Sequence, residues 1–120
     1  MDESTTLKDL KKKVTDFRDK RDWKKFHNSK DLSAAIVIES AELQERFLWK
    51  NFDETNEFLK DEKNFNNVKD EIADIGIFLL NLSDVLNVDL SEAITNKINK
   101  NEVKYPIEKV KGIAKKYTEL

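Results

Sequence analysis

The stretch VKDEIADIGIFLLNLSDVL, residues 68–86, decides the fold of this chain. Apolar side chains recur in it at spacings of three and four residues, which is the period of an amphipathic α-helix. The residues that share this face are Val68, Ile72, Ile75, Leu79, Leu82 and Leu86. Because this is the strongest helical period in the sequence, we predict that this third helix is the most buried element of the fold.

The same period predicts three more helices around this stretch. A first helix starts near Leu7 and frays near Arg21, a second covers residues 32–49, and a fourth is capped by Asp89 and ends at Pro106. Their apolar faces consist of Leu7, Leu10, Val14 and Phe17, of Leu32, Ala35, Ile36, Leu43 and Phe47, and of Leu90, Ile94 and Ile98.

The segments between these helices are polar. Residues 22–30 are predicted to form a connection that carries aromatic groups. Either Ser29 or Asp31 is predicted to cap the second helix. Residues 51–66 are predicted to form a loop with some local order. The tail at residues 107–120 has helical spacing but also Gly112, so that a docking helix and a frayed end both remain open.

Length and composition restrict the fold class. The chain has 120 residues, with only two glycines and one proline, which are too few for the many tight turns of a β-sandwich or barrel. Hydrophobic and charged residues each make up 38%. We therefore predict a single all-α domain over residues 1–120, a four-helix bundle whose core is completed by self-association.

Charge and cysteine content exclude several classes of function. The net charge of −2 provides no basic surface for nucleic acid or an anionic membrane. Without cysteine the chain has no disulfide, thiolate zinc site or cysteine nucleophile. No stretch approaches the roughly 18 apolar residues of a membrane span, and the polar N-terminus lacks a signal-peptide core, so we expect a cytoplasmic protein.

Two pairs of acidic residues lie beside the apolar faces of the second and third helices. Glu39 and Glu42 are separated by one helical turn, and Glu71 and Asp74 repeat that spacing. If the two helices pack together, four carboxylates converge where unpaired charge is costly. A divalent cation would relieve this repulsion; the alternative is a solvated acidic stripe paired with lysines.

The ligand chemistry favours a hard ion. Oxygen-only ligands suit Mg²⁺, with Mn²⁺ as a substitute, and the single histidine argues against a zinc or di-iron site. Glu45 continues the spacing, as a further ligand, a base or an exposed residue.

These residues resemble the signature of the MazG-type all-α nucleoside triphosphate pyrophosphohydrolases, E-x-x-E followed after a spacer by E-x-x-D. Here it reads E39-S-A-E42 and E71-I-A-D74. The segments RDWKKFH (21–27), AELQERFLWK (41–50) and KINKNEVKYP (97–106) extend the resemblance to the small dCTP pyrophosphatase-like branch, over about residues 20–106.

The resemblance implies hydrolysis of a nucleoside triphosphate to a monophosphate and pyrophosphate. It implies Mg²⁺ on Glu39, Glu42, Glu71 and Asp74, and a homodimer or homotetramer. Nucleic acid and membrane are not expected partners.

The resemblance also implies substrate-binding residues. Base contacts are expected from Trp23, His27 and Trp49, and phosphate or sugar contacts from Lys97, Asn101, Lys104 and Tyr105. The competing interpretations are core packing for the tryptophans, a loop role for His27 and helix-end solvation for the basic residues. Phe78 departs from the branch, where tyrosine is expected, which leaves fine base selectivity open.

Three functions follow as hypotheses. The first is a house-cleaning enzyme for a pyrimidine deoxynucleotide such as dCTP. The second keeps the metal site but has broad or purine-directed specificity. The third, from another class, is a helical adaptor without catalytic activity.

Overall fold

The computed structural model describes residues 1–120 and contains helices and no strands, which confirms the predicted all-α class. Six α-helices are present, two more than predicted, together with short 3₁₀ helices at Lys24–Phe26 and Tyr117–Glu119. The α-helices are α1 (Leu7–Asp19), α2 (Ser29–Glu45), α3 (Phe52–Lys60), α4 (Glu62–Val85), α5 (Leu90–Lys104) and α6 (Ile107–Val110). No helix is both long enough and apolar enough to cross a membrane.

Side-chain caps fix where five of the six α-helices begin. The caps are Thr6, Asn28, Asn51, Asp61 and Asp89, and each accepts a hydrogen bond from a backbone N–H of the first turn. The predicted cap at Asp89 is confirmed. The predicted cap of the second helix was wrong, because Asn28 fills that role and Asp31 donates its backbone N–H to the Asn28 side chain at 2.8 Å.

The segment predicted as a loop at residues 51–66 is helical instead. It forms α3 and the first turn of α4, separated by Asp61 alone. Asp61 has an extended backbone, with φ −73° and ψ 125°, so it ends one helix and caps the next. Asn64 Nδ2 donates to the Phe58 carbonyl at 3.2 Å and joins the two helices across this break.

The second helix begins three residues before the predicted start and ends four residues before the predicted end. It ends at Glu45, and Trp49 lies beyond it with a left-handed backbone at φ 65°. A tryptophan in this region of φ/ψ space carries a steric cost, so this short connection is tightly constrained.

Two compact units divide the chain, Met1–Asn87 and Val88–Leu120. In the first unit, α2, α1 and α3 all pack against α4. α4 also supplies most of the buried residues, which are Arg18, Leu32, Val68, Glu71, Leu80, Asn81 and Ser83. This helix is therefore the most buried element, as predicted, although Ile72, Leu79 and Leu86 of its predicted face are 55%, 41% and 52% exposed.

Arg18 ties α1 to α4 by an ion pair. Its side chain is only 3% exposed and contacts Asp84 on α4 and Asp19 on α1, each at 2.8 Å. A buried guanidinium without these partners would be costly, so this pair holds the two helices in one register.

In the second unit, the end of α5 packs against the C-terminal 3₁₀ helix. The rings of Tyr105 and Tyr117 meet edge to face with centroids 6.1 Å apart, and Lys104 Nζ lies 4.7 Å from the Tyr117 ring.

Candidate active site

Three carboxylates converge where α2 packs against α4. Oxygens of Glu39, Glu42 and Glu71 all lie within 4.8 Å of one another. The convergence follows from local geometry, because Glu39 and Glu42 are one turn apart on α2 and Glu71 lies on the helix that α2 packs against. The spacing of these acids in the sequence therefore brings three of the four predicted ligands together.

Glu39 lies in surroundings that are unfavourable for a charged group. Its Oε2 is buried and has no hydrogen-bond partner. Burial, followed by a hydrogen bond and repulsion from Glu42 and the charges of Asp74 and Glu71, raises the pKa of Glu39 above its ordinary value. A buried carboxylate oxygen without a partner needs a proton or a cation to compensate it.

These residues fit a hard divalent cation. The donor set consists entirely of carboxylate oxygens, which Mg²⁺ and Mn²⁺ prefer, and one oxygen of Glu39 is buried without a partner. Three negative side chains close together provide the charge that such an ion requires.

Arg46 is a basic residue of this site that the sequence argument missed. It follows Glu42 by four residues, and its Nε and Nη2 donate to Glu71 Oε1 at 3.2 and 2.7 Å. The i, i+4 spacing from Glu42 was the available signal. An open cavity of about 420 Å³ is lined by Glu42, Glu45, Arg46 and Glu71, so Glu45 lies beside the cluster without being part of it.

Asp74 lies outside the three-carboxylate group. It is half-buried one turn beyond Glu71, where its charge still acts on Glu39, and it lines a second cavity. This second cavity has a volume of about 260 Å³ and is lined by Phe17, Trp23, His27, Asp74, Ile77, Phe78 and Asn81.

The second cavity gathers two of the three expected base contacts, together with Phe78. Trp23, His27 and Phe78 line it, whereas Trp49 does not and is 91% exposed. Phe17, Ile77 and Asn81 were not predicted for this role. Asn81 offered a signal, because it lies three residues after Phe78 on the same helix.

Two buried polar atoms of the residues that line this cavity have no hydrogen-bond partner. Asn81 Nδ2 donates to the Ile77 carbonyl at 3.2 Å, which fixes the orientation of the amide, while Asn81 Oδ1 and His27 Nδ1 form no hydrogen bond. Burial and the charge of Arg18 lower the pKa of His27 below its ordinary value, and the nearby Asn81 side chain acts in the opposite direction. The imidazole is therefore neutral near pH 7.

The predicted phosphate and sugar contacts all belong to the second unit. Lys97 and Lys104 are exposed on α5, whereas Asn101 and Tyr105 are half-buried near its C-terminal end. They lie on consecutive turns of one helix, apart from Tyr105, which caps it.

Comparison with known proteins agrees with this architecture. A family model described as the MazG-like family matches residues 34–120. Mouse dCTP pyrophosphatase 1 is 35% identical over 115 residues, which cover 96% of this chain and 68% of the mouse protein. The human protein of the same name is 33% identical over the same share of both chains.

A solved structure gives a second, independent comparison. A pyrophosphatase from Archaeoglobus fulgidus has 44% sequence identity and a TM-score of 0.77, over 83% of this chain and 92% of that one. On sequence and fold together, this chain belongs to the MazG-like family and is a hydrolase of the nucleotide pyrophosphatase type.

Proposed function

We propose that this enzyme cleaves nucleoside triphosphates between the α and β phosphates and releases a monophosphate and pyrophosphate. The observation that carries the proposal is the cluster of Glu39, Glu42 and Glu71, with a buried and unpartnered oxygen on Glu39. Such an arrangement is costly for a helix pair unless it binds a cation, and the adaptor hypothesis offers no reason to keep it.

Mg²⁺ is the proposed cofactor, with Mn²⁺ as a substitute, held by these three acids and by Asp74. A divalent cation held by these residues would supply positive charge for the phosphates and acidify a bound water. We propose Glu45, which is exposed at the edge of the first cavity, as the base that accepts a proton from the attacking water. No protein nucleophile is needed, since water breaks the bond directly.

The second cavity is the proposed base site. Its volume of about 260 Å³ is below the roughly 300–1,000 Å³ of sites that enclose a whole drug-sized ligand, so it suits a base rather than a complete nucleotide. Trp23 and Phe78 provide aromatic faces for stacking. We expect Trp49 to contact the base only if a second copy of the chain covers it.

Base preference follows from the free oxygen of Asn81. Because Oδ1 can only accept a hydrogen bond, it favours a base with an exocyclic amino group. If the base presents its position 4 to Asn81, cytosine offers an amino group there and thymine a carbonyl, so dCTP is the proposed pyrimidine substrate. Adenine also has one, so the broad or purine-directed alternative is tested in the same experiment.

Phosphate and sugar contacts are proposed for Lys97, Asn101, Lys104 and Tyr105. Lysine suits phosphate as a point charge, and Asn101 and Tyr105 carry groups that hydrogen-bond a sugar hydroxyl.

Self-association is part of the proposal. The chain exposes large apolar residues on α2 and α4 as well as on α5, including Val37 at 68%, Ile72 at 55% and Ile98 at 53%. Exposed apolar surface of this extent is typical of an interface, so we expect a dimer or tetramer in light scattering after size exclusion.

Product analysis tests the reaction. Each dNTP is incubated with Mg²⁺ or with EDTA, and the nucleotide products are resolved by ion-exchange chromatography. Monophosphate and pyrophosphate formed only with metal would support the proposal, and dCTP turned over faster than dTTP would support the base site. Diphosphate would mean cleavage of a different bond, and absence of turnover would contradict the proposal.

Glu71→Gln provides the matched variant for the metal site. Glutamine keeps the shape of the side chain but removes its charge, so helical circular dichroism should persist while turnover collapses. Full activity in this variant would remove Glu71 from the proposed ligands.

A further inference from the structure

Arg46 forms an ion pair with Glu71, one of the three clustered carboxylates. Its Nε and Nη2 both donate to Glu71 Oε1, the shorter bond being 2.7 Å. The Glu71 side chain is only 9% exposed, whereas that of Arg46 is 38% exposed. The carboxylate is thus fixed and buried, while its partner reaches it from the solvent side.

The first cavity gives Arg46 a second set of possible contacts. Arg46 is its only basic lining residue, with Glu42, Glu45 and Glu71 as the others. An anion in this cavity would be repelled by three acids, so Arg46 is the one side chain of the lining that attracts it.

The Glu71 carboxylate cannot bind Arg46 and a divalent cation at full strength at the same time. A cation shared with Glu39 and Glu42 would draw the Glu71 oxygens towards the orphaned Glu39 Oε2 and weaken the bonds to Arg46. The released guanidinium would then lie at an open cavity, with planar donors suited to phosphate oxygens.

We propose that Arg46 is an exchangeable counter-ion. It neutralises Glu71 while the carboxylate cluster holds no cation, and it turns to the phosphate chain of the substrate once a divalent cation binds Glu71. Arg46 is then a positioning residue for the metal site and a contact for the triphosphate. This inference rests on the proposed function, because it assumes that the cluster binds a cation and that the substrate is a polyphosphate.

The exchange predicts opposite effects of Arg46→Gln on the two ligands. Without nucleotide, loss of the competing guanidinium should tighten Mg²⁺ binding by roughly tenfold, measured by calorimetry. In EDTA the same variant should unfold about 5 °C below wild type, and saturating Mg²⁺ should close that gap. With Mg²⁺ present, affinity for a triphosphate that carries a methylene bridge between its α and β phosphates should fall by roughly tenfold, while monophosphate affinity stays the same.

Two further variants complete the design. Arg46→Lys keeps the charge and is expected to fold even if Arg46→Gln does not, with intermediate affinities for both ligands. Lys60→Gln removes the lysine of an exposed ion pair with Glu57 and should match wild type in every titration.

The outcomes distinguish failure of the Arg46 exchange from failure of the proposed function. If wild type binds Mg²⁺ and the Arg46 variants bind it with unchanged affinity, the exchange is overturned while the proposed function stands. Unchanged affinity for the triphosphate analogue in the Arg46 variants would equally overturn it. A wild-type protein that binds no Mg²⁺ would overturn the proposed function and the exchange together.

Discussion

Glu39→Gln should stabilise the metal-free protein while abolishing its activity. Glu39 lies among like charges, with an unpartnered oxygen and with carboxylate oxygens of Glu42 and Glu71 within 4.8 Å. Glutamine has nearly the same shape, carries no charge and brings an amide that can donate to a neighbouring carboxylate. The substitution therefore removes repulsion without leaving a cavity.

The expected gain follows from the geometry. Two full charges 4.8 Å apart repel by about 3.5 kcal/mol at an effective dielectric constant of about 20. Two effects reduce this value: Arg46 neutralises Glu71, and the raised pKa of Glu39 lets the carboxyl take up a proton. We therefore expect the free energy of unfolding to rise by about 1–2 kcal/mol, which corresponds to a Tm increase of about 5 °C.

Thermal unfolding followed by circular dichroism measures this gain, in EDTA and again in Mg²⁺, beside a turnover assay. In EDTA the variant should melt above wild type; in Mg²⁺ the order should reverse, because the variant has lost a ligand. Glu57→Gln, which changes an exposed ion pair with Lys60, serves as the control and should shift Tm very little. A Glu39→Gln protein that melts below wild type in EDTA would contradict the proposed charge repulsion at Glu39.

Three further predictions concern stability and protonation outside the carboxylate cluster. Thr6→Ala removes the capping box of α1 and should lower the free energy of unfolding by about 1 kcal/mol in denaturant titration, with kcat/KM unchanged; no loss would mean that the cap is frayed in solution. Asp84→Asn leaves the buried Arg18 without a charged partner on α4 and should cost about 1–3 kcal/mol, so a neutral result would contradict the helix-tying role of this ion pair. His27, the only histidine, has a pKa lowered by burial, so its contribution to stability is present above pH 6.5 and is lost as pH falls through its lower folded-state pKa. NMR titration in EDTA should give a midpoint below 6.5, and His27→Gln should flatten the pH dependence of unfolding in that range; a midpoint at or above 6.5 would show that the ring is not buried.

The elements that the sequence predicted well are those whose own side chains carry the signal. α4 has a sustained apolar period, and Asp89 lies three residues before Glu92, whose backbone N–H it accepts at 2.9 Å. The missed helix α3 has only nine residues, and its start is capped by the side chain of Asn51, whose Oδ1 accepts from Glu54 N at 2.9 Å. In so short a helix, tertiary packing against α4 rather than local propensity decides the structure.

The same distinction applies to the site. Convergence of Glu39, Glu42 and Glu71 needs only helical spacing and the packing of α2 on α4. The position of Asp74 depends in addition on how α4 is rotated, because a residue three positions along a helix points about 60° away from the first. Arg46 was missed for a related reason: its spacing from Glu42 places it near the cluster, but its partner Glu71 lies across the helix interface, and spacing along one helix does not identify that partner.

One helix, α4, carries residues of both cavities. Glu71 lies at one and Asn81 at the other, and ten residues of α-helix correspond to a rise of about 15 Å. In the proposed function, α4 would therefore set the distance between the phosphate end and the base end of a bound nucleotide. Substitutions at the Asn81 end can alter which base is accepted without moving the metal ligands, whereas one inserted residue between the ends would rotate them by about 100° relative to each other. Specificity in such an enzyme can change by point substitution, while the length of α4 must stay fixed.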